Sequence, residues 1–147
     1  MKDFNLYLQL LNIGTKVETM FKQDKEFRKR VFSAQFKILL MLYENKGISP
    51  SFIVEELQIA KSNVASMCKQ LEEKGFVEHT VDDNDHRIIY YSLTKSGEKY
   101  INAELKKVGG LMDSKLDEGE QKQLQECLQK SLEIIKKIGE ENDVGNN

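Results

Sequence analysis

A chain of 147 residues holds one compact domain, or one small module carried on a helical frame. Hydrophobic residues make up 39% and charged residues 31%, with a single proline, which is the composition of a helix-rich protein and not of a membrane-spanning one. The net charge of −2 excludes a uniformly basic protein that coats polyanions. Residues 1–60 carry nine Lys/Arg against seven Asp/Glu, 61–100 six against seven, and 101–147 seven against ten. Any face for nucleic acid must therefore concentrate positive charge in space. Two cysteines, Cys68 and Cys127, are too few and too far apart for a disulfide framework. The opening MKDFNLYLQLLNIGTKVE has no basic leader and no small-residue cleavage site, so no secretion signal is read and a cytoplasmic protein is expected.

The first element is predicted as one helix from Asp3 to about Lys29. Leu6, Leu10, Ile13, Val17 and Met20 step by four and three, with Phe4, Leu8 and Leu11 alongside. A stripe that wide should be largely buried against other helices. A second helix is expected over residues 33–44, stopped by Asn45 and Gly47. PSFIVEEL then makes a short third helix, with Ser49 as N-cap and Pro50 at the first helical position.

The fourth helix, KSNVASMCKQLEEKG, carries the most information. Val64, Met67, Cys68 and Leu71 share one face, while Ser62, Ser66, Lys69 and Glu73 share the opposite one, flanked by Asn63 and Gln70. Small hydrogen-bonding side chains at a helix start suit the major groove, where base edges lie close. An ordinary solvated polar face has the same pattern. The context separates the two readings: QIA at 58–60 joins two short helices at helix-turn-helix spacing, and Gly75 stops the second.

FVEHTV and RIIYYSL follow as strands, joined by Asp82, Asp83, Asn84 and Asp85. LTKSGEKY opens another helix with Thr94 as candidate N-cap. The fold class is thus mainly α with a small β-hairpin, a winged helix-turn-helix. The acidic turn fails the calcium-loop pattern, because a loop starting at Asp82 puts His86 at position 5 and Arg87 at position 6. His79 and His86 lack the spacing of a zinc site, so no metal and no cofactor are expected. A polar turn accounts for the carboxylates. Arg87 stands apart, with Asp85 two residues away to orient it.

LEEKGFVEHTVDDNDHRIIYYSLTKSGEKY resembles the signature of the MarR family, the multiple-antibiotic-resistance type of transcriptional regulator. Leu71, Gly75, Phe76, Val77, Asp82, Asp85, Arg87, Leu93, Thr94 and Gly97 match it in register. The resemblance implies a homodimeric regulator, a repressor, that binds a pseudo-palindromic duplex operator. Lys61, Ser62, Asn63, Ser66, Lys69 and Gln70 would face the major groove, and Arg87, oriented by Asp85, the minor groove. It also implies a dimer frame of terminal helices: 1–30 as the N-terminal helix, 31–96 as the winged domain, 97–139 as C-terminal dimerisation helices, and 140–147 as a disordered tail. Small aromatic effectors are bound in the family between DNA lobe and frame, for which Tyr7, Phe21, Phe32 and Phe36 are candidates here. The sequence departs from the family where Arg is common: His79, His86, Ser66 and Gln70 stand at those positions.

The C-terminal sequence supports a partner independently. After a capping box at Asp117 and Glu120, Leu124, Cys127, Leu128, Leu132, Ile134, Ile135 and Ile138 form a stripe that a small winged core cannot cover. No phosphate-binding glycine loop, metalloprotease motif or serine-nucleophile motif is found, so an enzyme is not expected. Two alternatives stand beside the DNA-binding regulator: a thiol sensor acting through Cys68, and a winged-helix module that binds protein. Both cysteines also suit the role of small buried hydrophobes.

Overall fold

Side-chain caps start most of the helices and decide where the chain turns. The computed structural model describes residues 4–140. Seven helices and two strands run in the order α1 (Phe4–Thr19), α2 (Lys25–Val31), α3 (Ala34–Glu44), α4 (Pro50–Leu57), α5 (Lys61–Glu73), β1 (Val77–Val81), β2 (Ile89–Leu93), α6 (Lys95–Lys115) and α7 (Glu118–Gly139). They fall into two compact units, one up to Glu104 and one from Leu105.

The long first helix expected from periodicity is two helices. Asp24 accepts a hydrogen bond from the Phe27 amide at 2.8 Å and starts α2 afresh. The turn before it is held by Phe21, whose ring meets Phe27 edge-on at 5.2 Å between centroids. Periodicity continues across this break, so the apolar pattern alone could not reveal it. Asp3, the expected start, lies outside the described residues. The stripe on α1 is also not buried within the chain: Leu6 is 52% and Ile13 54% exposed.

The second and third helices lie where the sequence puts them. Ser33 caps α3 through Phe36 N–H, and Ser49 caps α4 through Phe52 N–H. Asn45 ends α3, and Gly47 follows with φ +71°. Ile53, Val64, Cys68, Leu71, Ile38 and Ile101 are sealed in the core of the first unit. That core fixes α5 against α3 and α4, leaving the opposite face of α5 in solvent.

Gly75 (φ +76°) closes α5 in a Schellman arrangement: its N–H donates to Glu72 C=O and the Phe76 N–H donates to Leu71 C=O. The chain leaves directly into β1, which pairs antiparallel with β2 in the register Val77↔Leu93, His79↔Tyr91 and Val81↔Ile89. Ile48 adds a bridge to Tyr91 on the far side of β2, which sequence patterning did not show. Thr94 caps α6 as expected, accepting from Gly97 N–H and donating to Gly75 C=O at 2.6 Å. Glu104 on α6 is buried and lies 3.6 Å from Arg30 of α2.

In the second unit, Asp117 and Glu120 make the expected reciprocal capping box at the start of α7. No α7 residue is buried, and Leu132, Ile134 and Ile138 are 58%, 61% and 71% exposed. The expected disordered tail, 140–147, lies outside the described residues apart from Glu140.

Among the described glycines, Gly97 has the least room for a side chain. A Cβ there would stand 2.1 Å from the Phe76 carbonyl oxygen, a backbone atom that cannot swing away. Gly97→Ala is expected to cost about 1–3 kcal/mol, whereas Gly14→Ala on α1, where a Cβ meets nothing within 4 Å, costs no packing. Urea denaturation of both variants checks this, and equal midpoints would contradict it.

Candidate nucleic-acid interface

The sealed apolar face of α5 turns Lys61, Ser62, Asn63, Ser66, Lys69 and Gln70 outward, and all six are exposed. Ala60 gives α5 no side-chain cap, and within the first turn Asn63 N–H donates to the Ala60 carbonyl at 2.9 Å. Gln70 is set apart from the other five. Its side-chain carbonyl accepts from the Gln35 amide of α3, and Lys74 Nζ donates to the Gln35 carbonyl at 3.3 Å. The carboxy-terminal end of the polar face is thereby tied to α3.

The hairpin turn is built from its own carboxylates. Asp82 Oδ1 accepts from Asn84 N–H at 2.8 Å and Asp85 N–H at 2.9 Å, and these bonds hold its carboxyl below the usual range. Asp85 accepts Arg87 Nε and Nη2 in a two-pronged pair, each at 3.0 Å, and the Arg87 backbone N–H at 3.1 Å. The guanidinium lowers the Asp85 pKa and Asp85 raises that of Arg87. Arg87 and Ile88 are consequently in the turn and not in the strand expected to begin at Arg87, because Ile88 N–H donates to Asp85 C=O. The Arg87 side chain remains 91% exposed.

The acidic stretch therefore holds one cation at its tip. Asp82 shapes the turn and Asp85 aims the arginine. Among the described residues, no group of three or more His, Cys, Asp or Glu side chains is placed to hold an ion.

Two features of this face were not foreseen. Glu72, on the last turn of α5, contacts Nδ1 of His79 on β1. The His79 ring also meets Tyr91 edge-on at 6.1 Å. The signal available in the sequence was His79 at the position following GFVE, where an aligned strand residue faces back toward α5.

Cys68 is fully buried, and burial followed by the Glu72 charge pushes its thiol up to about 11. A thiol so placed stays protonated and is a poor nucleophile. Cys127 is exposed, not a buried hydrophobe, and no residue of its helix is buried. The four aromatics considered for an effector do not share one cavity. Phe36 lines a cavity of about 100 Å³ with Arg30, Gln35, Lys74, Phe76 and Tyr100, whereas Phe32 lines a separate groove with Lys25 and Arg28. Phe21 packs on Phe27 and Phe32, and Tyr7 is 57% exposed on α1.

Residues 33–89 match the sequence model of the MarR family, the span from the α3 cap to the first residue of β2. This segment belongs to the MarR family. The chain is 31% identical over 98 residues to the transcriptional repressor MdtR of Bacillus subtilis, a match covering 67% of this chain and 61% of that one. The chain thus matches somewhat less than two thirds of that repressor's length. Among solved structures it resembles the transcriptional regulator BldR of Sulfolobus solfataricus, at 25% identity and TM-score 0.63, covering 90% of this chain and 99% of the other. It also resembles S. aureus MepR in its DNA-binding conformation, at 25% identity and TM-score 0.59, covering 88% and 98%. These MarR-type proteins share its mainly helical fold with a two-stranded wing. No described helix is long and apolar enough to cross a membrane.

The lowered Asp82 and Asp85 pKa values give the wing a defined acid limit. A carboxylate whose folded pKa is depressed stabilises the fold above its unfolded value of about 3.9 and loses that contribution as pH falls through the folded value. The amide resonances of Asn84, Asp85 and Arg87 should therefore stay native at pH 5 and collapse toward unstructured positions only below the usual carboxylate range. Collapse already at pH 5 would contradict the hydrogen-bonded turn.

Proposed function

We propose that the chain is a sequence-specific double-stranded DNA-binding transcriptional regulator, a repressor, that acts as a homodimer and is released by a small aromatic effector. One observation carries the DNA reading: an arginine at the tip of an acidic hairpin is gripped by a carboxylate yet left 91% exposed. A solvated turn has no use for such a fixed cation. A narrow, A·T-rich minor groove does, because it concentrates negative potential.

Lys61, Ser62, Asn63, Ser66 and Lys69 are assigned to the major groove, with Gln70 in a bracing role against α3. With no arginine on this face, discrimination rests on short polar contacts, bridging water and DNA shape. The exposed apolar stripes of α1 and α7 support a second copy as partner, since contiguous apolar faces of this length need covering. Residues near 4–21 and 121–138 are assigned to that frame. The cavity beside Phe36 is the preferred effector position, because Arg30 and Lys74 border it together with aromatic rings. Half-sites one helical turn apart follow from the two-fold arrangement.

Arg87→Ala is expected to weaken binding to a selected operator roughly tenfold to a hundredfold, and to reduce the salt slope by about one ion per subunit. Ser66→Glu should abolish binding by setting a carboxylate against acceptor-rich base edges and phosphates. Gel-shift titrations at matched salt read both, and wild-type affinity in Ser66→Glu would rule out this face. Sedimentation at micromolar concentration should show a single species of twice the chain mass. A folded monomer at that concentration would overturn the dimer.

A further inference from the structure

We propose that Gln35 and Lys74 are positioning residues that fix which end of the Gln70 side-chain amide faces outward. Gln70 then offers DNA a hydrogen-bond donor and selects a keto base, guanine or thymine, at the pair it meets. The proposal rests on the DNA-binding reading for its consequence, though not for the relay itself. A side-chain amide has a donor end and an acceptor end of nearly the same shape, so it can sit either way round. An ammonium removes that freedom, because it carries donors only. Lys74 Nζ donates to Gln35 Oε1 at 3.3 Å, which turns the Gln35 nitrogen the other way. That nitrogen meets Gln70, whose own oxygen must face inward to accept from it. The reversed arrangement would set the Gln35 NH2 against the ammonium, donor against donor. Polarity thus runs in one sense from Lys74 through Gln35 to Gln70. The Gln70 NH2 group is the open end, with no acceptor for it among the described residues.

Both ends of the relay are set by backbone. Gln35 is the second residue of α3, and Lys74 is the C-cap of α5, where the helix dipole favours a cation. Leu39 and Leu71, both buried, hold the two helices side by side and line one small cavity with Gln35 and Lys74. Gln70 follows Asn63 by seven residues, two helical turns, and so shares its flank of the polar face. In the major groove guanine O6 and thymine O4 accept, whereas adenine N6 and cytosine N4 donate. A donor amide fits the first two and sets hydrogen against hydrogen on the others. An unrestrained glutamine would flip to suit either kind. Gln35 and Lys74 therefore make an ambivalent side chain selective.

The test compares the full chain as wild type, Gln35→Glu and Lys74→Met. Glutamate has nearly the shape of glutamine and suits the first turn of a helix, but its carboxylate only accepts. Paired with Lys74, it forces Gln70 to turn its NH2 inward and its oxygen out. The side-chain NH2 resonances of Gln70 read that flip without DNA. They should lie at solvated positions in wild type and shift downfield, as hydrogen-bonded protons, in Gln35→Glu. Selection from a duplex library randomised across the operator, at matched salt, reads the consequence. Wild type should prefer keto to amino bases at one position per half-site by about threefold to tenfold. Gln35→Glu should prefer amino bases there by a similar factor, and in Lys74→Met the preference should fall below about twofold. Each preference is a ratio between sequences, so the charge added in Gln35→Glu cancels. Gln70 resonances that are the same in wild type and Gln35→Glu would overturn the relay. A keto preference that survives in Gln35→Glu, or a weakening equal for all sequences, would overturn base reading by Gln70. Resonances that shift as expected in a protein that binds no duplex would support the relay and refute the DNA-binding function instead.

Discussion

The grip of Asp85 on Arg87 is the contact on which the proposed activity depends. An arginine on a free hairpin tip loses considerable side-chain entropy when it enters a groove. Here two parallel N–H···O bonds of 3.0 Å have already restricted it. The backbone amide of Arg87 bonds the same carboxylate, so the side chain and the turn are fixed together. The pair is solvent-exposed and contributes little to stability. Its value lies in direction: the guanidinium keeps Nη1 and its outer edge free to meet a phosphate or a base.

Direction is useful only if the hairpin itself is placed, and the rest of the fold supplies that. Gly75 turns α5 into β1 within the three residues 74–76, and Thr94 ties the start of α6 back to the Gly75 carbonyl. Gly97 lets α6 approach the Phe76 backbone to a distance no side chain allows. The helix α5, the wing and α6 therefore diverge from one short segment, residues 71–76. The Glu72–His79 contact lies at the edge of this rigid knot, where the hairpin first projects.

Much of this was legible from sequence. Capping residues at Ser49, Thr94 and Asp117 are local signals, and each of the three caps its helix as expected, whereas Ser33, taken as the first helical residue, is the cap of α3. The alternation in β1 and β2 and the asparagine and aspartates between them located the wing. What failed was the first helix, because a stripe that continues in phase across Thr19–Asp24 hides a break made by a cap and a ring contact. Burial failed for α1 and Cys127, since periodicity shows that a face is apolar but not what covers it. Glu72 escaped notice because its partner lies seven residues on, across a turn whose geometry only the structure defines.

The central claim is that the acidic wing serves DNA by orienting one cation, so that a carboxylate close to a polyanion improves binding. Operator affinity of Asp85→Ala, measured beside wild type at equal ionic strength, tests it most directly. The orienting role requires weaker binding in the variant, although a negative charge has been removed. Tighter binding would mean that Asp85 merely repels phosphate, and the account of the wing would be wrong.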